Sequence, residues 1–438
     1  MRNLFRGGIH PDDNKLATAK KPIFEASIPA KLILPVRQHI GAPCSPVVKV
    51  GDLVKKGQVI ADTQAFVSAP IHASSSGKVT EIANYPHPVF GTCQAIVIET
   101  DGQDEWLEGL PVERDWKSLE NKEIVGMIRS AGIVGMGGAT FPAHVKLSPP
   151  PDKPIDTLIL NGSECEPYLT ADHRVMLEMA EKIIDGMHIS MKVLNVTKGV
   201  IGIEANKPDA IEHFQKLLVG SDIEVVGLPT KYPQGAEKNL IVALTGREVP
   251  SGGLPMEVGV VVENAGTAVA IADAVIRGLP LIERVTTVTG SCIASPQNLL
   301  LRVGTTFAEA VNICGGFKEE PAKVIMGGPM MGMAQQTLDA PIIKGTSGIV
   351  ALSAKEIHDG EERPCIRCGR CVSACPMGLI PRDFSILGER KLYEQAKTEC
   401  NLLDCVECGS CVFVCPAKRK IVQYVKLSKA QLAAAAKK

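Results

Sequence analysis

Aromatic residues make up only 4% of the 438 residues, with 2 Trp, so there is little material for the base-stacking platforms that hold single-stranded nucleic acid. A surplus of either charge is missing too. Lys plus Arg is 47 and Asp plus Glu is 48, a formal net charge of −1, and no global basic field exists to attract a polyanion. The composition therefore points to no nucleic acid partner. No stretch approaches the roughly 20 consecutive apolar residues of a spanning helix, and the oiliest region, 265–276, is interrupted by Asp273. Any membrane association is expected to be peripheral and through partners. The opening run from Met1 to Gly8 has no apolar signal core, which argues against export and for a reducing compartment.

What the chain does have is length and cysteine. A chain of this size divides into about three or four domains, and with 45% apolar and 22% charged residues most of it is expected to fold. Nine of the 14 Cys fall between Cys365 and Cys415, and eight of these form two runs of identical spacing: Cys365-x2-Cys368-x2-Cys371-x3-Cys375-Pro376 and Cys405-x2-Cys408-x2-Cys411-x3-Cys415-Pro416. This is the bacterial two-cluster ferredoxin pattern, in which the fourth Cys of each run ligates the other cluster. It assigns Cys365, Cys368, Cys371 and Cys415 to one 4Fe-4S centre, and Cys405, Cys408, Cys411 and Cys375 to a second. A pair of structural zinc sites would also use four thiolates each, but does not explain the duplicated x3-Cys-Pro endings. Between the runs, Phe384, Ile386, Leu387, Leu392 and Tyr393 recur at roughly helical spacing. Cys400, Cys44, Cys93, Cys165, Cys292 and Cys314 read as ordinary core thiols.

Gly132, Gly135, Gly137 and Gly138 open a turn that ends in Phe141-Pro142 and Lys146. The spacing fails the dinucleotide fingerprint, because Thr140 stands three after Gly137. The glycines still let backbone amides approach a phosphate, with Lys146 as a point charge; a plain interdomain loop is the alternative. A short buried strand ending at Asn161 leads into Glu164-Cys165-Glu166-Pro167, and one helix is expected from about Asp172 to Met187. Strand and helix patterns then alternate through 199–277, the mark of an α/β layered domain. Tyr232 to Lys238 precedes a helix and Glu263 to Thr267 lies between a strand and a helix, so both can line one crevice, although helix caps and turns account for them equally.

Taken in order, the glycine turn, the Asn161 to Pro167 loop, the Glu237 segment and Asn264-x-x-Thr267 resemble the flavin-binding subunit of complex I-type NADH dehydrogenases. With Gly7-Gly8-Ile9-His10-Pro11 at the start and the double cysteine run at the end, nearly the whole chain resembles the RnfC family, the C subunits of the Rnf ion-translocating electron-transport complex. The resemblance implies FMN, with Gly135, Gly137, Gly138 and Lys146 near its phosphate and Asn161 and Glu164 near ribityl or ring. Asn264 and Thr267 belong to the same cofactor-binding set. Glu166 and Glu237, with Tyr232 beside them, match positions that handle NAD(H) in the relatives. Those relatives carry paired acids before the helix, whereas Ala236 precedes Glu237 here. Flavin would convert two-electron hydride chemistry into the single-electron traffic of the clusters.

The expected fold is multidomain α/β and α+β: an N-terminal segment and barrel-sandwich (lipoyl-like) module over 1–105, an α/β flavin-binding domain over 106–284, a β-grasp insertion over 285–355, a C-terminal helical two-cluster ferredoxin module over 356–420 and a basic tail over 421–438. The barrel lacks a Lys at its 64–68 hairpin, so it reads as structural rather than as a swinging-arm carrier. Met330 and Met331 in the Gly327 to Gly332 segment read as packing, His358 as a solvated loop residue, and the tail as either a docking element or a solvated helix. The family resemblance implies a ferredoxin:NAD+ oxidoreductase of the bacterial membrane, peripheral on its cytoplasmic side. Integral and ferredoxin-like subunits would be its partners, and ferredoxin would reach it indirectly. A corrin reductase, a hydrogenase-associated diaphorase and a non-catalytic relay remain as alternatives.

Overall fold

The computed structural model describes residues 4–357 and 360–436; His358 and the last two lysines lie outside them. Near the N-terminus, a four-stranded antiparallel sheet orders Lys31–Pro35, Gly91–Thr100, Gly77–His87 and Leu53–Val54, and faces a three-stranded one of Ser45–Pro46, Val59–Asp62 and Ile71–His72. Leu32, Leu34, Ile60, Val79, Ile96 and Ile98 fill the space between, as two half-buried sheets require.

The next domain is a parallel sheet in the order Ile223–Leu228, Gly199–Glu204, Thr157–Gly162, Val260–Asn264. Thr157–Gly162, Gly199–Glu204 and Val260–Asn264 are short, largely apolar runs buried on both faces, as helix-covered parallel strands are, while the edge strand Ile223–Leu228 is buried only at its two ends. The chain leaves Thr157–Gly162 toward one neighbour and returns on its other side with Val260–Asn264. That reversal opens a crevice at the carboxyl ends of these two strands, the usual ligand position in such sheets. Asn161 and Asn264 are register partners at its mouth. The single helix expected after the Glu164 loop is two, Ala171–Glu178 and Ala180–Leu194, broken at Met179, whose φ of −130° leaves the helical range.

The β-grasp region is a six-stranded mixed sheet under the helix Phe307–Ile313. Its edge strand, Phe24–Glu25, comes from the other end of the sequence and pairs with Leu299 and Leu300. Residues ahead of that strand therefore form a strap separate from the barrel. Gly8 N donates to Ala374 O (2.9 Å), Ile9 and Tyr232 exchange backbone bonds, and Tyr168 N donates to Asp13 O (2.7 Å). Gly7 has φ +67°, and a Cβ there would fall 2.4 Å from Cys375 O, so only glycine lets the strap cross the cysteine module.

In that module the segment between the cysteine runs is two helices, Pro381–Glu389 and Tyr393–Cys400. Phe384, Ala396 and Leu402 form its core with Val425. Val425 belongs to the helix Ile421–Ala435, so the segment read as a tail is packed into the module. Its Ile421, Val422 and Val425 are all buried.

Candidate functional site

The crevice is built from strand ends and helix starts. Asn264 caps Ala265–Arg277, its Oδ1 accepting from the amides of Gly266 (2.9 Å) and Thr267 (3.3 Å), while its Nδ2 donates to Asp172 Oδ2 at 2.6 Å. Thr267 Oγ1 accepts from Met136 N at 2.9 Å, which lays the glycine turn against this helix start. A Cβ on Gly137 would lie 3.3 Å from the Asn264 side chain, and Gly138, at φ +132°, faces open space. Lys146 Nζ donates to Glu237 Oε1 (3.0 Å) and to Val262 O (2.7 Å). Asn161 Nδ2 donates to Gly235 O at 2.8 Å, while the buried Ser163 hydroxyl and both side-chain polar atoms of buried Gln234 have no protein partner. Exposed turn glycines, a capped helix start and one lysine suit a phosphate, and unpaired buried polar atoms beside a strand end suit a polar cofactor; the residues fit FMN.

The structure brings Gly135, Gly137, Gly138, Lys146, Asn161, Glu237, Asn264 and Thr267 to this one crevice. It uses the other three predicted residues differently. Both Glu164 oxygens accept amides, from Asp172 (2.7 Å) and His173 (3.1 Å), capping the next helix. Glu166 accepts from the amides of Met330 (3.1 Å) and Met331 (2.8 Å) of the β-grasp loop. Tyr232, fully buried, donates its hydroxyl to Cys408 O at 2.7 Å and stands 3.4 Å from Glu166 Oε1. The methionine pair thus contributes main-chain donors. Burial pushes the Glu166 carboxyl up to about 7, and Asp172 is pushed up to about 7 by burial and then by Glu164.

Sequence reasoning missed Asp172, Ser163, Gln234 and Lys15. An acid in the first turn of a helix was the available signal for Asp172; Ser163 and Gln234 lie within segments already expected at the crevice without being singled out, and Lys15 left no local signal because its partners are the distant carbonyls of Glu164, Glu166 and Leu169.

The eight cysteines gather in two chambers. Cys365, Cys368, Cys371 and Cys415 line one of about 240 Å³, and Cys375, Cys405, Cys408 and Cys411 line the second, the exchange of fourth ligands that the spacing implies. The runs are also conformational repeats: Arg367 and Glu407, Gly369 and Gly409, Gly378 and Lys418 pair off at φ between +52° and +81°. Four thiolates at about 2.3 Å from one zinc would converge on a point, whereas no group of three or more His, Cys, Asp or Glu among the described residues closes on a single-ion position. Chambers walled by thiols fit cubanes.

A switch-point crevice for a flavin, joined through Tyr232 to a dicluster module, defines a flavin and iron–sulfur electron-transfer protein. Family models agree segment by segment: an RnfC barrel sandwich hybrid domain at 3–103, a Nuo51 FMN-binding domain at 128–273, an SLBB domain at 285–334 and a 4Fe-4S dicluster domain at 364–418. The chain belongs to the RnfC family, the C subunits of the Rnf ion-translocating ferredoxin:NAD+ oxidoreductases. It is 65% identical over 435 residues to the C subunit of the proton-translocating ferredoxin:NAD+ oxidoreductase complex of Clostridium ljungdahlii, covering 99% of this chain and 95% of that one. It is 48% identical over 436 residues to the C subunit of the Na+-translocating complex of Acetobacterium woodii, covering 99% and 98%. In fold it resembles a chain of an NAD+-reducing NiFe hydrogenase, with a TM-score of 0.51 at 17% identity over 72% of this chain and 64% of that one. No helix among the described residues is long and apolar enough to cross a membrane.

One stability consequence follows from Glu263, buried on Val260–Asn264, to which among the described residues only the Ser190 hydroxyl donates (3.1 and 3.2 Å). Burial pushes its carboxyl from 4.5 up to about 7. The folded state therefore favours the proton, and the contribution is fully present below pH 4.5 and lost as pH rises through about 7. Glu263→Gln should leave thermal stability near wild type at pH 5 and raise it at pH 8, by at most about 3 kcal/mol. Equal melting temperatures at pH 8 would contradict this.

Proposed function

We propose that the chain exchanges electrons between NAD(H) at the switch-point crevice and a partner at its far end, passing through the Cys375, Cys405, Cys408, Cys411 centre and then the Cys365, Cys368, Cys371, Cys415 centre. The observation carrying this order is Tyr232, which leaves the crevice segment and donates to the carbonyl of Cys408. Bound FMN trades a hydride's two electrons with nicotinamide and single electrons with iron–sulfur centres.

Gly135, Gly137, Gly138 and Lys146 bind the phosphate and Asn161 orients the cofactor at the strand end. Asn264 and Thr267 fix the glycine turn, with Glu164 holding the floor through its helix cap. Glu237, paired with Lys146 and partly exposed, faces the dinucleotide. Glu166 and Tyr232 close the wall between crevice and clusters and exclude water from it. The protein sits peripherally on the cytoplasmic face of a bacterial membrane, in a complex whose integral subunits move Na+ or H+.

An anaerobic NADH titration of the reconstituted full chain, recording flavin and cluster absorbance together, tests the reading. Flavin bleaching followed by cluster reduction is expected. Reduced flavin beside clusters that stay oxidised while dithionite reduces them would overturn the order, and a chain that retains no flavin would overturn the function.

A further inference from the structure

The 64–68 hairpin of the barrel, which has no lysine, carries a phenylalanine instead. Phe66 is the most exposed of the 10 phenylalanines, at 62%, in a chain with few aromatic residues to leave in water. Phe90, the other exposed one in the barrel, lies under the Arg37 guanidinium, 3.9 Å from its ring centroid. The Phe66 ring meets only the edge of His144, at 5.8 Å between centroids.

The backbone beneath that ring is fixed. Arg129 Nη2 donates to Thr63 O (2.8 Å), His144 Nε2 to Phe66 O (3.0 Å), and Ala69 N to His39 Nε2 (3.1 Å). Arg129 and His144 stand just before and just after the glycine turn, so the flavin domain holds the hairpin from both sides of it. A bare ring on a pinned backbone is a preorganised apolar surface, which loses little freedom when something is laid on it.

The turn itself leads from the crevice to the barrel. At Gly137 it abuts the Asn264 side chain, at Gly138 it faces open space, and at Thr140 its carbonyl accepts from Ile40 N (3.3 Å). Ile40 is 51% exposed, and its loop is tied to the hairpin by Ala42 N donating to Val67 O (3.0 Å). Hydride transfer requires the nicotinamide inside the crevice. The adenosine half of the dinucleotide must then run outward over exposed Gly137, Gly138 and Ala139, toward the barrel loops that carry Ile40 and Phe66.

We propose that Phe66 is a substrate-binding residue supplied by the barrel, its ring stacking on the adenine of NAD(H); the proposal rests on the placement of the nicotinamide in the crevice. An aromatic face stacks on a base without any charge, and Arg129, the cation beside the hairpin, is already committed to Asp62 (3.4 Å) and Thr63. The contact is to a part of the substrate that does not react, so it strengthens binding of ground state and transition state alike.

The test uses full-length protein reconstituted anaerobically with iron, sulfide and FMN, with ferricyanide as acceptor and rates taken per bound flavin. NADH is compared with reduced nicotinamide mononucleotide, which donates the same hydride but has no adenosine. Phe66→Ala should raise the KM for NADH by about tenfold, leave kcat unchanged, and leave the KM for the mononucleotide as in wild type. Phe66→Trp, which keeps a stacking face, should restore the KM for NADH.

An unchanged KM for NADH in Phe66→Ala would overturn the proposal. So would a rise shared by the mononucleotide, which would mean a disturbed crevice, or a Trp variant as impaired as the Ala one. If Phe66→Ala fails to retain FMN, Phe66→Leu takes its place under the same criteria. Wild-type protein that holds FMN but is not reduced by NADH would instead sink the placement of the nicotinamide, a separable failure.

Discussion

Cys375→Ala should extinguish the same reduced-cluster EPR signal as Cys408→Ala, and Cys415→Ala the same signal as Cys368→Ala, although in each pair the two residues belong to different runs. Each variant should lose about half of the iron and acid-labile sulfide, one of two four-iron centres. The reason is the chamber lining, in which the fourth thiol of each run stands with the first three of the other. The consequences for electron flow are unequal. On the proposed order, losing the Cys408 centre removes the step next to the crevice, so NADH should still reduce ferricyanide, which would take electrons at the flavin, while the surviving outer centre stays oxidised. Losing the Cys368 centre should leave the inner centre reducible by NADH. If Cys375→Ala removed the signal lost in Cys368→Ala, each run would ligate its own cluster and the interleaved arrangement would be wrong.

The chemistry was legible in the sequence wherever it depends on local spacing. Cysteine intervals of three and four anticipate which thiols line one chamber, because they lie within short turns whose left-handed residues repeat with them. The alternation through 199–277 was legible for the same reason: buried parallel strands and amphipathic helices each write their period into a few consecutive residues. Contacts between distant segments were not. Nothing near Phe24 announces a strand whose partner is Leu299, and two residues carry no period. Tyr232 and Glu166 read as dinucleotide contacts through the family resemblance alone, and the partners the structure gives them, Cys408 and the Met330 and Met331 amides, come from two other modules. Val422 and Val425 looked like part of a tail because the surface that buries them, around Phe384, lies in the linker between the cysteine runs.

Lys15→Met should be among the most damaging single substitutions outside the cysteines, lowering stability by roughly 3–5 kcal/mol and reducing retained FMN. Lys15 is almost fully buried on the N-terminal strap. Its Nζ donates to the carbonyls of Glu164 (2.9 Å), Glu166 (2.9 Å) and Leu169 (2.5 Å), the loop that carries the helix cap and the wall between crevice and clusters. Two effects oppose each other. Burial pulls the Lys15 ammonium below its usual range, so an apolar replacement recovers part of the desolvation cost. Against that, three inward-facing carbonyls lose their donor, at roughly 1–3 kcal/mol each before relaxation, and the Glu164 charge beside it loses its counter-ion. The second effect should win because methionine supplies no donor and the enclosed loop admits little water. Lys344 is the control: it is equally buried but donates to only two carbonyls, Pro70 O (2.8 Å) and Gly132 O (2.7 Å), and burial pulls it down to about 7. With one carbonyl fewer to leave unpaired it should cost less to replace, and Lys344→Met should loosen the barrel's contact with the flavin domain rather than the crevice. Thermal unfolding at pH 8 with flavin content measured on the same samples decides it. A Lys15→Met protein that melts within about 1 kcal/mol of wild type and keeps its FMN would show that the strap is an accessory rather than the clamp on the loop.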